Sequence, residues 1–256
     1  MMTKLKRVNT ASTPCKICGG PTRLFGVVDF AKSCEEARGK RLPLSGTPVY
    51  YRRCQVCEFL FTDAFDNWSE ADFRSSIYNA EYIEVDPDYK EVRPASSAVT
   101  VQQLFGASLA ELRLLDYGGG DGKLSAKLRA AGILDAQTFD PFVAEFARRP
   151  AGKFDLITCF ETLEHMPDPM AGIASILSSM KDTGLVLFST LVQPADFETH
   201  GTNWWYVGPR NGHVSIFSRD ALMRAWQHYG CQTASFNDNV HVAYRTLPEF
   251  ARHLVS

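Results

Sequence analysis

The 256-residue sequence predicts an α/β fold with a doubly wound sheet, preceded by a small cysteine-rich module. Two observations support this. An apolar run that ends in Asp116 passes through a glycine-rich turn at 118–122 into a helical segment at 123–131, as in α/β proteins that bind nucleotides. Two Cys-x-x-Cys pairs lie upstream, at 15–18 and 54–57, where each pair can direct two thiolates at one metal ion.

Length, composition and charge narrow the class of protein. The length allows one full α/β domain and a small accessory module, and an apolar fraction of 45% is ordinary for a globular chain. No apolar run reaches the ~18 residues that span a bilayer, and the first residues lack the apolar core of a secretory signal. The net charge of −2 opposes wholesale binding to nucleic acid, although residues 1–60 hold 11 Lys and Arg against 4 Asp and Glu.

The changes in composition along the chain divide it into four predicted parts. These are a flexible tail over 1–14, a zinc-ribbon module over 15–62, an aromatic-rich connector over 63–91 and the α/β domain over 92–256.

The cysteine pattern predicts a metal site in a reducing, cytoplasmic environment. Seven cysteines, four of them in two close pairs, fit a metal site better than a disulfide framework. The four ligands would be Cys15, Cys18, Cys54 and Cys57. A closed four-thiolate zinc site has no open coordination position, so we expect it to serve folding rather than catalysis. Reduced core thiols are the alternative.

The connector is rich in aromatic residues with acidic residues between them, a pattern that opposes a nucleic-acid stacking platform. Tyr78 and Tyr82 are four residues apart and would share one face of a helix. We expect them to line a substrate pocket, with ordinary packing as the alternative.

The order of helices and strands in the α/β domain can be predicted from caps and apolar runs. A helix is expected over 92–106, before the first strand, and Asp140 ends the second strand, where an acidic group can accept hydrogen bonds from a ribose. A buried strand over 153–160 leads to Asp168, which is expected to cap a helix over 170–181. The remaining expectations are a strand over 184–190, a helix from the cap Ser218 to Tyr229 and a closing hairpin over 231–246.

Two motifs carry a resemblance to a known family. The frame Asp116-x-Gly118-x-Gly120-x-Gly122 resembles motif I of the class I S-adenosylmethionine (SAM)-dependent methyltransferases, and FDLITCFETLEHMPDP at 154–169 resembles the segment at the fourth strand of that family. The resemblance implies a Rossmann-like sheet, SAM as the cofactor and a SAM-binding methyltransferase domain over 92–256. The implied cofactor-binding residues are Asp116, Tyr117, Gly118, Gly120, Asp140, Pro141, Phe142, Phe160, Glu161 and Thr162.

The chain departs from the family pattern in one segment. Only 13 residues separate Asp140 from Phe154, where the family has a third strand, a further helix and an acidic residue near the adenine. We therefore expect a weak or missing third strand, with Phe142 as the residue that could stack on the adenine.

Methyl transfer to a hydroxyl or carbon acid needs a general base, and histidine is the usual one near neutral pH. His165 and His213 are the candidate catalytic residues. The alternatives are structural: His213 would only order its loop, and His165 would donate to a backbone carbonyl. The His-Val-Ser-x-Phe-Ser segment from His213 resembles one in zinc-ribbon-bearing sugar methyltransferases of bacterial deoxysugar and surface-glycan pathways, in which a Glu-His pair is thought to serve acid–base chemistry. Gly212 replaces that Glu, so the orienting carboxylate is absent or comes from elsewhere.

Three consecutive aromatic residues precede this segment. Neighbours in an extended chain face opposite sides, so at least one of the three should face a pocket or a lid. The candidate substrate-binding residues of this loop are Trp204, Trp205, Tyr206 and Arg210.

The leading hypothesis is a SAM-dependent methyltransferase that acts on a small molecule or glycan, such as a nucleotide-linked sugar, with a histidine base and structural zinc. One alternative is an RNA methyltransferase whose basic module binds RNA, although the Asn-Pro-Pro-aromatic signature of many base N-methylating enzymes is missing after the fourth strand. The other is a SAM-binding or interaction protein without turnover. The sequence leaves open the acceptor, the methylated atom and the oligomeric state.

Overall fold

The computed structural model describes residues 13–254, apart from the side chain of Ala107. The tail predicted over 1–14 lies almost wholly outside these residues. The described chain forms two sheets. A four-stranded sheet is built mainly from the first 61 residues, and a six-stranded sheet from the remainder of the chain.

The bounds of the elements follow chain order. The strands are β1 (Thr22–Asp29), β2 (Pro48–Cys54), β3 (Leu60–Phe61), β4 (Leu114–Tyr117), β5 (Ala136–Phe139), β6 (Phe154–Phe160), β7 (Met180–Ser189), β8 (Ser215–Ile216), β9 (Gln232–Ser235) and β10 (Val240–Tyr244). The α-helices are α1 (Glu70–Ser76), α2 (Tyr82–Val85), α3 (Val92–Phe105), α4 (Lys123–Ala130), α5 (Pro169–Leu177), α6 (Phe197–His200) and α7 (Arg219–Gln227).

The large sheet has the order β5-β4-β6-β7-β10-β9. Strands β5, β4, β6 and β7 are parallel, and β10 runs antiparallel to both β7 and β9. This arrangement confirms the predicted Rossmann-like α/β fold. The segment from 140 to 153 contains no strand, so the sheet ends at β5 and the third strand of the family pattern is missing.

The central strands β4, β6 and β7 are mostly buried on both faces, because helices pack on both sides of the sheet. Successive residues point to opposite sides, so Leu114 and Leu156 belong to one buried cluster, and Leu115 and Ile157 belong to the other. None of the helices in the described part of the chain has the length and apolar character that crossing a membrane would require.

The helix caps are as predicted, but one helix is shorter. Asp168 accepts a hydrogen bond from the Ala171 amide, and Ser218 accepts one from the Ala221 amide. The helix expected over 170–181 ends at Leu177, because Met180 already pairs with Phe154 as the buried first residue of β7. The strand is therefore longer at its start than the sequence indicated.

The small sheet is antiparallel, in the order β1-β2-β3-β8. Its last strand comes from the loop after β7, where Leu60 pairs with Ile216 and Phe61 with Ser215. The cysteine-rich module is thus joined by backbone pairing to the part of the chain that forms the large sheet. The predicted domain boundaries remain predictions.

Candidate functional site

A cavity of about 1200 Å³ opens at the carboxyl edge of the large sheet, where β4, β5 and β6 end. Parallel α/β sheets bind ligands at this edge. All ten residues predicted to bind the cofactor line this one cavity, and so do Tyr78, Tyr82 and His165. The structure brings them together, while their individual contacts with a ligand remain predictions.

The turn after β4 depends on glycines at most of its positions. Gly118, Gly120 and Gly122 have positive φ values of 73°, 55° and 74°. A Cβ at Gly118 would lie 2.6 Å from Oγ1 of Thr162, and one at Gly119 would lie 2.2 Å from Oδ2 of Asp116. The backbone of the turn therefore approaches both the cavity and the buried Asp116 without side chains between them.

Asp116 offers a binding group beneath this turn. Its Oδ1 accepts a hydrogen bond of 2.9 Å from Oγ1 of Thr158, while its buried Oδ2 has no partner among the described residues. Burial raises the pKa of this carboxyl to about 7. A buried, unpartnered carboxylate oxygen beside a cavity is suited to a cationic or N–H donor on a ligand, which SAM provides through its ammonium group.

Asp140 connects the end of β5 to the same turn. Its Oδ2 accepts from the Gly120 amide at 2.9 Å and its Oδ1 from the Phe142 amide at 2.8 Å. Burial raises the pKa of this carboxyl above its ordinary value. Each oxygen keeps a second lone pair, which is what the predicted contact with a ribose would use.

The two predicted catalytic histidines are adjacent but have different exposure. His165 is half-buried in the cavity wall, whereas His213 is buried behind it, outside the lining of the cavity. The two imidazoles meet edge to face with centroids 4.9 Å apart. Burial lowers the pKa of His165 to about 4 and that of His213 well below its usual range, so both rings are neutral at pH 7.

Glu164 supplies a carboxyl group next to this pair. One of its oxygens and one nitrogen from each imidazole all lie within 4.8 Å of one another. Oε1 of Glu164 accepts a hydrogen bond of 2.7 Å from the Tyr206 hydroxyl. A side chain at Gly212 would begin 3.0 Å from Nδ1 of His165 on a backbone with a φ of 88°, so a Glu there would be crowded and strained. Glu164 is the nearby carboxyl group instead. Glu164 lies within the motif at 154–169, but no pattern in the sequence indicated a role for it.

The aromatic triplet lies away from the cavity. Trp204 and Tyr206 are buried, Trp205 is 40% exposed, and none of the three lines the cavity. The guanidinium of Arg210 is buried and donates to the Ile77 carbonyl at 3.0 Å. A role for these four residues in substrate binding remains a prediction without support from their placement.

Instead, the outer wall of the cavity comes from the connector and the start of α3. Arg93 lines the cavity, where its guanidinium forms an ion pair with the buried carboxylate of Asp86. The aromatic residues of this wall are Phe73, Tyr78, Tyr82 and Tyr89. Phe142, which follows β5, also lines the cavity and packs against Phe73 and Tyr78. The aromatic composition of the connector was the signal for this wall, but no local pattern singled out Arg93.

The four predicted metal ligands form one cluster. Their sulfur atoms lie within 4.8 Å of one another, with Cys15 and Cys57 3.6 Å apart and Cys18 and Cys54 3.5 Å apart. Zn–S bonds of about 2.3 Å in a tetrahedron place the sulfurs about 3.8 Å apart, so the cluster fits a zinc ion.

Each Cys-x-x-Cys pair also has the backbone shape of a metal knuckle. The residue after each pair has a positive φ, 68° at Gly19 and 59° at Glu58. Backbone amides point at the sulfurs, with Ile17 N 3.4 Å from Sγ of Cys15 and Val56 N 3.3 Å from Sγ of Cys54. Such contacts favour thiolates, the form that binds metal.

Comparison with known proteins gives one family and several relatives. The pattern of the family described as a methyltransferase domain matches residues 89–235. The ubiquinone biosynthesis O-methyltransferase of Aromatoleum aromaticum is 36% identical over 108 residues, covering 33% of this chain and 46% of that protein. The protein of the same name from Histophilus somni is 30% identical over 128 residues, covering 40% and 53%. The chain thus spans about half the length of the curated relatives it matches.

Among solved structures, the crystal structure of the 1,6-didemethyltoxoflavin-N1-methyltransferase of Burkholderia thailandensis is similar to this chain with a TM-score of 0.53. The identity is 14%, and the alignment covers 80% of this chain and 98% of that one. This likeness supports the fold alone.

The geometry of the cysteine cluster predicts about one zinc ion per chain, measurable by elemental analysis of protein purified without chelators. Cys57→Ser should lose the zinc and lower the melting temperature, because a structural metal ion bound only by the folded chain would stabilise the module. Cys231→Ala, which removes a buried thiol outside the cluster, should keep the zinc. A folded, zinc-free wild-type protein would exclude the metal site.

Asp116→Ala should abolish binding of S-adenosylhomocysteine (SAH) measured by calorimetry, because it removes the buried carboxyl group beneath the glycine turn. The control is Asp182→Ala, since Asp182 is exposed near the start of β7, away from the cavity. Near-wild-type affinity in Asp116→Ala would remove Asp116 from the binding site.

The buried Glu164 should make the protein less stable as pH rises. Burial raises its pKa from the ordinary 4.5 to about 8, so the folded state retains a proton that the unfolded state has already released. The free energy of unfolding contributed by this group therefore falls between about pH 4.5 and pH 8. Chemical denaturation across that range should show a smaller fall for Glu164→Gln than for wild type. The exposed Glu249→Gln should follow wild type, and a Glu164→Gln curve parallel to wild type would refute the assignment.

Proposed function

Since the chain belongs to the methyltransferase-domain family, we propose that it transfers the methyl group of SAM to a hydroxyl oxygen of a small-molecule acceptor. The observation that carries this proposal is the shared cavity. The glycine turn, with Asp116 beneath it, and the imidazole of His165 line the same space. A cofactor held at the turn and a base at the wall can then act on one acceptor between them.

SAM supplies an electrophilic methyl group on a sulfonium ion. In our proposal His165 takes the proton of the acceptor hydroxyl as its oxygen forms a bond to the methyl carbon, while the C–S electron pair returns to sulfur to give SAH. Burial keeps the His165 ring neutral at pH 7, which leaves a nitrogen lone pair free to receive that proton. Glu164 and His213 lie behind this ring, where they can hold its orientation.

The lining of the outer wall supports an aromatic acceptor. Phe73, Tyr78, Tyr82, Tyr89 and Phe142 surround the space beyond the glycine turn. Aromatic side chains pack well against a planar ring in offset or edge-to-face geometry. The names of the curated relatives, which refer to O-methylation in ubiquinone biosynthesis, point to the same acceptor class, a phenol. Nucleotide-linked sugars are the comparison class, because the aromatic triplet proposed to hold a sugar lies outside the cavity.

The charge of the module gives RNA binding little support. Most basic side chains of residues 13–60 already form ion pairs with acidic side chains of this chain, which reduces their attraction for phosphates. These pairs include Lys16–Asp66, Arg38–Asp88, Lys40–Glu84, Arg52–Asp63 and Arg53–Glu198.

The proposal is tested by incubating the protein with SAM and two acceptor panels, catechols with hydroxybenzoates and nucleotide-linked sugars, and measuring SAH by mass spectrometry. We expect SAH and a methyl ether with the phenolic panel. Methylated product from the sugar panel alone would change the acceptor class. Tight SAH binding without turnover on either panel would favour the non-catalytic alternative.

His165→Gln should reduce kcat by roughly 10²–10⁴-fold, the usual contribution of a general base, and leave the Kd of SAH near the wild-type value. His200→Gln is the matched control, because His200 is exposed and pairs with Asp196 far from the cavity lining. Unchanged turnover in His165→Gln would exclude His165 as the base.

A further inference from the structure

The loop that carries His213 is held by the cysteine-rich module rather than by the large sheet alone. Residues from the module bond to this loop at several points: the Cys34 amide donates to Oδ1 of Asn211 at 2.8 Å, and the Arg210 amide donates to the Lys32 carbonyl at 3.1 Å. The Thr62 amide also donates to the Val214 carbonyl at 3.1 Å. Both sides of His213 are therefore attached to the first 62 residues of the chain.

One of these attachments reaches the backbone of His213 itself. Tyr51, a residue of β2 with no exposed surface, donates its phenolic hydroxyl to the His213 carbonyl at 2.6 Å. The hydroxyl is the one polar atom of a side chain otherwise packed in the core. A phenylalanine would keep the packing and lose only this bond.

A second attachment comes from Lys32, which holds the backbone on both sides of Tyr206. The Tyr206 carbonyl is the hydrogen-bond partner of the His213 ring. Nδ1 of His213 lies 2.8 Å from the Tyr206 carbonyl, and since a carbonyl can only accept, Nδ1 carries the proton and Nε2 keeps the lone pair. The ammonium of Lys32 donates to the carbonyls of Trp204 at 3.1 Å and Val207 at 2.6 Å, on both sides of Tyr206.

The partly buried position of Lys32 lowers the stability of the fold, and the bonds to the loop are what this position provides. Its ammonium is partly buried, and no carboxylate lies within ion-pair distance of it among the described residues. Burying a charge without a counter-ion is unfavourable, and two backbone carbonyls offset only part of that cost. An uncharged residue at this position would pack without the free-energy penalty of burying a charge.

We propose that Tyr51 and Lys32 are positioning residues for methyl transfer: from the cysteine-rich module they hold the His213 ring in its Nδ1-protonated form against His165. This inference rests on the proposed function, because it takes His165 as the base. The module then contributes to turnover as well as to folding.

The test uses the full chain with its metal, and three variants. Tyr51→Phe and Lys32→Met remove the two attachments, and Tyr50→Phe is the control, since Tyr50 is the neighbouring residue of β2 and contacts neither His213 nor the loop by a hydrogen bond. The measurements are kcat with the acceptor found above, KM for SAM, the Kd of SAH, and the tautomer of His213 from ¹⁵N-histidine NMR. A change of tautomer is a readout that loss of stability alone does not produce.

We expect kcat to fall by about tenfold to a hundredfold in Tyr51→Phe and Lys32→Met, as for a catalytic group displaced by a fraction of an ångström to 1 Å, with KM for SAM and the Kd of SAH unchanged. His213 should change from one tautomer to a mixture in both variants and remain unchanged in Tyr50→Phe. Wild-type kcat and tautomer in both variants would overturn the proposal. So would an equal loss of SAH binding and turnover, which would indicate a folding role only.

If wild type turns over no acceptor, the proposed function fails and the role in methyl transfer fails with it. The tautomer of His213 then tests only the hold of Tyr51 and Lys32 on the ring. A mixture in the two variants supports it, and a single tautomer refutes it.

Discussion

The pairing of β3 with β8 is the constraint on which the site depends. Each of these strands has two residues, yet they join the cysteine-rich module to the loop that runs from β7 back toward the cavity. Leu60, Phe61 and Ile216 are fully buried at this joint, so apolar packing reinforces the few backbone bonds. The joint brings β2, and with it Tyr51, under the His213 loop. The module and the large sheet therefore form one wall around the histidine pair.

The site is also defined by ionisable groups that burial keeps neutral. Glu164, His165 and His213 would each carry a charge or titrate close to neutral pH in water, and burial shifts each pKa toward the uncharged form. Such a site lowers the stability of the fold, since polar atoms such as Nδ1 of His165 have no hydrogen-bond partner within residues 13–254. In the proposed reaction, the two imidazoles and the Glu164 carboxyl group would need little reorganisation when a proton moves. A preorganised site assists catalysis in this way.

Much of this architecture could be predicted from the sequence because it depends on local patterns. The glycine turn, the caps Asp168 and Ser218 and the two cysteine pairs follow from spacing within a few residues. The missing third strand followed from comparing the short segment between Asp140 and Phe154 with the family pattern. Features that depend on packing between distant segments could not be predicted. The alternation rule predicted that at least one of Trp204, Trp205 and Tyr206 would face a pocket or a lid. Trp204 and Tyr206 are buried, and Trp205 is exposed without lining the cavity. The burial of His213 behind His165 depends on the β3–β8 joint, for which a two-residue strand gives no sequence signal.

The missing third strand has a consequence for how copies of this protein behave at high concentration. It leaves β5 at the edge of the large sheet, and an unpaired strand edge is a template on which another chain can add. This edge is short, and α4 lies against it. Arg129 donates to the Ala136 carbonyl at 2.5 Å. This carbonyl points to the open edge, because the carbonyls of its neighbours Asp135 and Gln137 face β4. Arg129 therefore occupies one of the acceptors that a foreign strand would need, and it makes this edge less open to strand addition.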